Sequence, residues 1–282
     1  MNQSKPVISV IIAVYNGHLT LRKCIDTYAS QTYIHKELIV IDGGSTDGSI
    51  EDLLSYGNTI NYWISEPDDG IYCAWNKALQ KANGEWICFL GADDFFWNEF
   101  VLEQTVHELL IVPPDIRVVY GQVAVVSEKN EILHVLGKPW DSVQHLLLDH
   151  MPIPHPALLH NCSIFKELGT FDESFKIAAD YELLLRELKN NRAFFIPNLI
   201  IAGMKFGGMS NNLKKHPAIL LEEARARRKN ALPPYTLQWV LRFCRAILRN
   251  ILSTLLGEQK LRRLAIIRGR ITGRNSFWDK AL

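Results

Sequence analysis

The chain has 282 residues, of which 48% are hydrophobic and 10% aromatic, and this composition excludes an intrinsically disordered protein. The formal net charge of +1 conceals a division along the chain. Residues 1–224 carry 17 basic and 28 acidic side chains, a net charge of −11, and residues 225–282 carry 14 basic and 2 acidic ones, a net charge of +12. An acidic body with a basic tail indicates an anionic surface as a partner.

The five cysteines are scattered and include no CxxC pair, so the sequence predicts neither a zinc site nor a disulfide framework. A reducing compartment is the simplest interpretation of this cysteine usage. The first apolar run, 7–14, is only as long as a strand and follows no charged segment typical of a signal peptide. We therefore expect a cytoplasmic protein.

Apolar runs alternate with amphipathic helical patterns from the start of the chain. The β-branched run 7–14 predicts a strand that is buried on both faces, as in a parallel sheet. Further strands are predicted at 37–41, 62–64, 85–90 and 118–126, and helices from 20 onwards, around 50, and over 72–83, 179–188, 214–230 and 235–256. This alternation is typical of an α/β protein with an open sheet. Pro233 and Pro234 mark the predicted domain boundary.

Polar side chains follow four of the predicted strands. They are Asn16, Asp42, the segment 66–69 and the pair Asp93 and Asp94. In open α/β sheets, ligands bind at the carboxyl ends of the strands, so the sequence predicts a site there. The two adjacent carboxylates of Asp93 and Asp94 indicate a divalent cation, although a solvated turn is the alternative.

A glycine-rich turn and an acidic turn lie among these strand ends. The turn 42–48 contains neither a Walker A loop nor a GxGxxG motif, but its glycines permit a ligand to approach the backbone closely. Asp42 at its start could accept a hydrogen bond from a base or a ribose, while helix capping suits Asp47 better. Three carboxylates in the segment 66–69 precede a helix, and capping accounts for only one of them.

In this order the motifs resemble family 2 of the glycosyltransferases, which are inverting enzymes. The resemblance implies the GT-A fold, a Rossmann-like mixed open sheet with helices on both faces. The resemblance extends to enzymes of bacterial polysaccharide assembly. The matching segments are 10–16, 41–48, 66–72 with Asn76 and Lys77, 90–94, 171–181 and 207–210. Each motif is short, and their specificity lies in the ordered set, which covers about three quarters of the chain.

The resemblance implies a nucleotide-sugar site in the first half of the chain. Ala13, Tyr15 and Asn16 would contact the base, partly through backbone atoms. Asp42 would bind uracil or another base, and Asp69 would line the nucleotide-sugar pocket.

The resemblance also implies the catalytic groups. Asp93 would face the ribose or a metal, and Asp94 would hold Mn²⁺ or Mg²⁺ on the diphosphate. Asp180 matches the catalytic base, although a helix N-terminal acid is the alternative from the sequence alone. His155 would lie on the acceptor side.

Three positions depart from the family pattern. Cys73 stands where relatives commonly have Asp, Gly91 replaces the first Asp of a DxD motif, and the pair His155 and Pro156 lacks the usual Gln. Cys73 either alters the sugar preference or packs on a helix face. Active relatives also carry the sequence Gly-Ala-Asp-Asp, so Gly91 does not argue against activity.

We therefore expect a metal-dependent inverting glycosyltransferase that moves a sugar, from a UDP-sugar, to a hydroxyl of a glycan or lipid-linked acceptor. Residues 1–232 would form the catalytic domain and residues 233–282 a basic helical extension. One alternative is a nucleotidylyltransferase, whose glycine-rich signature and paired lysines are missing. The other is a non-catalytic binding module, against which the retained Asp94 and Asp180 argue.

The segment 237–256 is long enough to span a bilayer, but it contains Arg242, Arg245 and Arg249. Each central Arg costs roughly 2.5–3.5 kcal/mol on the insertion scale, so we expect an in-plane amphipathic helix instead. Peripheral contact of 235–275 with an anionic membrane, at its cytoplasmic face, is one prediction. A helix packed on the body with its arginines in solvent is the alternative.

The acidic body and the absence of a known nucleic-acid-binding motif exclude nucleic acid as a partner.

Overall fold

A computed structural model describes residues 7–205 and 215–256. The motif at 207–210 and the tail beyond residue 256 lie outside these described residues. The described strands are β1 Ile8–Val14, β2 Lys36–Asp42, β3 Tyr62–Ser65, β4 Trp86–Gly91, β5 Asp94–Phe96, β6 Val118–Val126, β7 Ile132–Leu136, β8 Leu158–Asn161 and β9 Ala193–Lys205. The described helices are α1 His18–Ala29, α2 Ser49–Ser55, α3 Ile71–Leu79, α4 Val101–Leu109, α5 Trp140–Val143, α6 Ser163–Leu168, α7 Ala179–Leu188, α8 His216–Lys229 and α9 Leu237–Leu256.

The described strands form one mixed sheet in the order β3-β2-β1-β4-β8-β6-β9-β5, with β7 paired to β6. The four strands from β3 to β4 are parallel, and β8 runs antiparallel to both β4 and β6. This arrangement confirms the predicted mixed open sheet. The register aligns Val14 with Asp42, and Ala13 with Gly91, so the polar strand ends lie along one edge.

Alternate side chains of β1 enter two different cores, which is why its sequence is apolar at nearly every position. Ile8, Val10 and Ile12 pack with α1 and α4 on one face of the sheet. Ile11 packs with α3 and α7 on the other face. Helices therefore cover both faces, and the buried sheet leaves only its carboxyl edge for a site.

The sheet curls back on itself at one point. Strand β4 ends at Gly91 and β5 begins at Asp94, yet the two strands are separated by β8, β6 and β9 in the sheet order. The two-residue link of Ala92 and Asp93 therefore joins positions that the curl brings together. We call this link the seam.

The two C-terminal helices pack on each other and on the body. Trp239 of α9 is buried against α8, and its indole Nε1 donates a hydrogen bond to the carbonyl oxygen of Leu220 at 2.8 Å. Arg227 of α8 is fully buried and donates to the carbonyl oxygens of Asp149 and Pro234. Arg227, one of the basic residues of the segment 225–282, is therefore buried inside the body.

The three arginines of α9 lie on one side of the helix, as their spacing of three and four residues predicts, but their environments differ. The guanidinium of Arg242 turns toward the body and lies 3.2 Å from Glu223 Oε2 and 3.0 Å from the carbonyl oxygen of Asp149. Arg245 and Arg249 stay exposed. Among the described helices, none combines the length and the apolar character that crossing a membrane requires.

Candidate functional site

Two cavities adjoin at the carboxyl edge of the parallel strands. The larger has a volume of about 700 Å³ and the smaller about 250 Å³. Ile71, Gly91 and Asp93 line both cavities, so the two volumes meet at the seam. Cavity space therefore lies at the edge where the sequence predicts a site, and it has two compartments.

Loop ends from β1 and β2 build the wall of the larger cavity. Asn16 has a positive φ of 51°, a conformation that Asn tolerates better than most residues. Its backbone N–H donates to Ser45 Oγ at 2.7 Å, and its side-chain oxygen accepts from the N–H of Thr46 at 3.0 Å. Ala13 and Tyr15 also line this cavity, and Tyr15 is 70% exposed at its surface.

Asp42 belongs to neither cavity lining, although the sequence predicted that it binds the base. Its carboxylate is fully buried and accepts hydrogen bonds from the N–H groups of Gly44 and Ser45 at 3.0 and 2.9 Å. The hydroxyl groups of Ser45 and Ser65 also donate to it. These bonds fold the turn after β2, so the structure gives Asp42 a supporting place behind the cavity wall.

Asp68, and not the predicted Asp69, lines the larger cavity. Its Oδ1 accepts the N–H of Gly70 at 2.9 Å, and none of the described residues donates a hydrogen bond to its Oδ2. The carboxylate lies against Gly43, where an added Cβ would be only 3.2 Å from Asp68 Oδ2. Gly43 thus makes room for a carboxylate at the end of β2. Asp69 is exposed and contributes only its carbonyl oxygen, to Lys176 Nζ at 2.8 Å.

Asp93 and Asp94 occupy different positions at the seam. Asp93 is exposed and lines both cavities. Asp94 lines only the smaller one and is 7% exposed. Its Oδ2 accepts the N–H of Gly91 at 3.2 Å, and its Oδ1 is buried without a hydrogen-bond partner among the described residues. Burial, and then the charge of Asp93, raise the pKa of Asp94 well above its usual value.

An unpartnered buried carboxylate oxygen beside a second carboxylate fits a divalent cation. Within residues 7–205 and 215–256 there is no group of three or more His, Cys, Asp or Glu side chains placed to hold a metal. Mg²⁺ is usually held by one or two carboxylates together with phosphate oxygens and water, so a pair at the seam is sufficient.

Asp180 lines the smaller cavity, at the start of α7. Its Oδ1 accepts the N–H of Tyr181 at 2.8 Å and lies 3.2 Å from the hydroxyl of Tyr72. That hydroxyl also donates to the carbonyl oxygen of Ile177. In the described part of the chain no donor reaches Asp180 Oδ2, so one carboxylate oxygen is left to act on a bound group. Burial, and then Asp180, raise the pKa of Tyr72 well above its usual value, so it stays a hydrogen-bond donor.

Aromatic rings form the opposite wall of the smaller cavity. The ring of His155 stacks on Trp75 with centroids 5.0 Å apart and an interplanar angle of 12°. Its Nε2 is buried without a partner among the described residues, and burial lowers its pKa, so the ring is neutral near pH 7. Phe89 contacts both rings. The wall combines flat apolar surface with two polar atoms, His155 Nε2 and Trp75 Nε1, and this combination suits one face of a sugar.

Asp68, Tyr72, Trp75 and Lys176 are among the lining residues that the sequence did not assign to the site. Trp75 was predicted only as part of the helix over 72–83 and Tyr72 only as the end of the matching segment 66–72, and neither pattern indicates a site residue. Asp68 was named only as one of three carboxylates. Cys73, between the two aromatic residues, belongs to neither lining and is half-buried on α3.

Comparison with known proteins gives consistent similarities. The family model described as glycosyl transferase family 2 matches residues 9–156. An uncharacterized glycosyltransferase of Rickettsia typhi is 30% identical over 219 residues, which cover 75% of this chain and 68% of the relative. TarS 1–349 of S. aureus, in complex with UDP-GlcNAc, has a TM-score of 0.62 at 17% identity and covers 91% of this chain and 78% of its own. Mannosyltransferase PcManGT of Pyrobaculum calidifontis, in complex with GDP-Man and Mn²⁺, has a TM-score of 0.64 at 17% identity. The match covers 98% of this chain and 83% of PcManGT.

Proposed function

Because this chain belongs to glycosyl transferase family 2 and has the GT-A fold, both as predicted, we propose how this glycosyltransferase works. It transfers a sugar from a nucleotide-diphosphate sugar to an acceptor hydroxyl, with inversion at the anomeric carbon. One observation carries the proposal: a large cavity and a small cavity meet at Asp93, and the small one holds Asp180, whose Oδ2 receives no hydrogen bond from the described residues.

The larger cavity is the donor site in this proposal. Its volume of about 700 Å³ suits a nucleotide, and the complexes of TarS with UDP-GlcNAc and of PcManGT with GDP-Man support this class of donor. Asp68 Oδ2, to which no residue in the described part of the chain donates, would accept a hydrogen bond from a ring N–H. Uracil and guanine have such a group and cytosine does not, and we propose a UDP-sugar, with Ala13, Tyr15 and Asn16 beside the base.

Asp93 and Asp94 would hold Mn²⁺ or Mg²⁺, as the buried, unpartnered Oδ1 of Asp94 favours. A bound divalent ion supplies charge neutralisation for the departing diphosphate. Asp93 lies at the junction of the cavities and would in addition orient the donor through its exposed carboxylate. The complex of PcManGT with Mn²⁺ supports the choice of ion.

Asp180 is the general base in this proposal. Its Oδ1 is held by the N–H of Tyr181, so the carboxylate cannot rotate freely, and its Oδ2 can accept the proton of an acceptor hydroxyl. The hydroxyl then attacks the anomeric carbon as the diphosphate leaves, and a single displacement inverts that carbon. The stacked rings of His155 and Trp75 would support the acceptor from the opposite wall.

Product analysis tests this proposal. The purified chain is incubated with UDP-sugars and GDP-sugars, with Mn²⁺ or with EDTA, and the products are separated by ion-exchange chromatography. We expect release of UDP that requires the metal, and NMR of the product should find the inverted anomer. Pyrophosphate in place of UDP would support the nucleotidylyltransferase, a retained anomer would overturn the base, and no turnover with any donor would support the non-catalytic module.

We further propose that α9 attaches residues 1–232 to an anionic membrane, as part of the extension 233–282. The face of α9 opposite the packed Trp239 is apolar and exposed. The residues of this face, which we call the apolar stripe, are Leu237, Leu241, Cys244, Leu248, Ile251 and Leu255. Their spacing of four and three residues keeps them on one side of the helix.

Charge favours an anionic lipid surface as the partner of the apolar stripe. The exposed Arg245 and Arg249 lie on the flank of the stripe. Each basic residue near an anionic leaflet is worth about 1 kcal/mol, and the apolar side chains add the energy of burial. An enzyme held on the cytoplasmic face of a membrane would have direct access to a lipid-linked acceptor, whereas a soluble glycan would not require attachment.

Vesicle flotation tests the attachment. The full chain is mixed with phosphatidylcholine vesicles that contain no or 30% phosphatidylglycerol, a fraction chosen as about that of an anionic leaflet. We expect flotation with the anionic vesicles only. The double variant Leu248→Gln/Ile251→Gln should stay at the bottom of the gradient. The matched control Arg192→Gln, which removes an exposed charge outside α9, should float like the parent. Flotation of the double variant would refute the proposal.

A further inference from the structure

The carboxylate of Glu222 on α8 binds three consecutive peptide groups in front of α7. Its Oε1 accepts the N–H of Lys176 at 2.9 Å, and its Oε2 accepts those of Ile177 and Ala178 at 2.8 and 2.9 Å. Charged acceptors make stronger hydrogen bonds with N–H groups than neutral ones do. No Lys or Arg among the described residues forms a salt bridge with Glu222, so its charge is directed to this loop.

The peptide groups that Glu222 holds lie directly before Asp180. Helix α7 begins at Ala179, and the residue in front of it, Ala178, has no side chain that could bind the free N–H groups of a helix start. Glu222 supplies, from another helix, an acceptor for the N–H of this capping residue, Ala178, and for the two N–H groups before it. An anion is favoured at this place because helix N-termini carry partial positive charge.

The same loop also carries the acceptor of Tyr72. The carbonyl oxygen of Ile177 accepts the Tyr72 hydroxyl, which lies 3.2 Å from Asp180 Oδ1. If the loop shifted, this carbonyl would move and the Tyr72 hydroxyl would turn. A shift would also displace Lys176, whose side chain lines the smaller cavity.

Two other residues on the same face of α8 contact the loop at a greater distance from Asp180. Arg225 donates to the carbonyl and hydroxyl oxygens of Ser174, and Lys229 Nζ lies 2.8 Å from Asp172 Oδ2. Partial burial raises the pKa of Asp172, but the hydrogen bonds from Lys229 and Ser174 outweigh it and bring the pKa below its usual range. These contacts attach the helix to the loop, but they do not touch the peptide groups next to the base.

We propose that Glu222 is a positioning residue for the transfer reaction: it holds the backbone of residues 176–178 so that Asp180 and Tyr72 keep their relative geometry in the smaller cavity. The inference rests on the proposed role of Asp180 as the base. It gives α8 a function in catalysis, although none of its residues lines either cavity.

The test compares Glu222→Gln with Arg225→Ala in the full chain. Gln has the same length but offers one acceptor oxygen, so at least one of the three N–H groups loses its bond. We expect kcat for metal-dependent transfer or hydrolysis of the UDP-sugar to fall at least tenfold, while the Kd for UDP stays within twofold. Arg225→Ala should keep kcat within twofold of the parent, even where its Tm is lower. A kcat of Glu222→Gln within twofold of the parent, or an equal loss in both variants, would overturn the proposal.

Two further variants make the outcome unambiguous. Glu222→Asp retains the charge at a shorter reach, and we expect a kcat between those of the parent and Glu222→Gln. If Glu222→Gln does not fold, a Glu222→Asp protein that binds UDP but turns over at the parental rate would refute the positioning role. An Asp180→Asn protein with parental kcat would instead refute the base, whereas an inactive Asp180→Asn with a fully active Glu222→Gln would refute only the role of Glu222.

Discussion

The two cavities that meet at Asp93 are built from different parts of the chain. The larger is lined by residues between 13 and 93, which come from consecutive strand ends and their loops. The smaller is lined by residues between 71 and 204, which come from several distant elements. The family match over residues 9–156 includes the whole lining of the larger cavity, but it ends before Lys176 and Asp180. The lining of the larger cavity therefore lies wholly within the family match, whereas four residues beyond the match complete the smaller cavity, namely Lys176, Ile177, Asp180 and Met204.

The largest expected effect separates chemistry from donor binding. Asp180→Asn removes the proposed proton acceptor from the smaller cavity and leaves every residue of the larger cavity in place. We expect kcat to fall by about 10²–10⁴-fold, the usual contribution of a general base, with an unchanged Kd for UDP measured by calorimetry. Asp172→Asn, which changes a carboxylate outside both linings, is the control. A large loss of UDP affinity in Asp180→Asn would mean that the two cavities are not independent.

The second substitution acts on both cavities at once. Asp93→Asn changes the residue that they share, so we expect weaker binding of UDP with Mn²⁺ and a lower kcat together, each by about tenfold or more. Binding of UDP in EDTA should change much less than binding in Mn²⁺. If only one of the two constants changed in Mn²⁺, Asp93 would belong to one compartment alone.

The third substitution acts on the larger cavity alone. In Gly43→Ala the new methyl group would lie 3.2 Å from Asp68 Oδ2 and push the carboxylate aside, without strain in the backbone, since Gly43 has no positive φ. A crowding cost of about 1–2 kcal/mol corresponds to a KM for the donor that rises by about five- to thirtyfold, with kcat unchanged.

A double-mutant cycle checks the cause of this effect. If Gly43→Ala acts by displacing Asp68, its effect on the donor KM should largely disappear in the background of Asp68→Ala. Additive effects of the two substitutions would mean that the methyl group disturbs another part of the larger cavity.

The smallest expected effect is on stability. Asp94→Asn removes a buried carboxylate whose Oδ1 has no partner among the described residues, so the metal-free protein should gain about 1 kcal/mol, or roughly 2–4 °C in Tm. The same variant should lose the stabilisation that added Mn²⁺ and UDP give the parent. Asp93→Asn, at an exposed position, should leave the metal-free Tm unchanged in differential scanning calorimetry. An Asp94→Asn protein with a lower metal-free Tm would mean that the carboxylate is satisfied in solution.

The strands and the edge that carries the site could be predicted from the sequence, because an apolar run that is buried on both faces is a local signal. The strand β6 and the helix α7 begin and end where their patterns indicated. The position of Asp42 was predicted, but its role was not. An Asp that is followed by Gly and Ser typically accepts hydrogen bonds from the N–H groups of its own turn. This pattern favoured a supporting role for Asp42 over ligand binding.

Other features had no local signal. The sequence places Arg242 and Arg245 on the same side of α9 and does not distinguish them. Only the packing of α8 against α9 determines that Arg242 is the one that faces Glu223. Glu222 is one of several charged residues on a polar helix. No pattern near it in the sequence indicates a contact with a loop some 45 residues earlier. Such roles depend on pairs of distant elements, and a pattern within one element cannot reveal them.

The seam has a consequence for how the chain tolerates changes in length. Surface loops accept extra residues easily, since each doubling of a loop costs only about 0.6 kcal/mol. Ala92 and Asp93 have no such freedom, because a one-residue slip of β5 against β9 would turn Asp94 to the opposite face of the sheet. Insertions in surface loops outside the cavity linings would leave the two cavities intact, whereas one residue added between β4 and β5 would displace Asp93 or Asp94 from its place beside Gly91. The proposed active site therefore requires a link of two residues between β4 and β5.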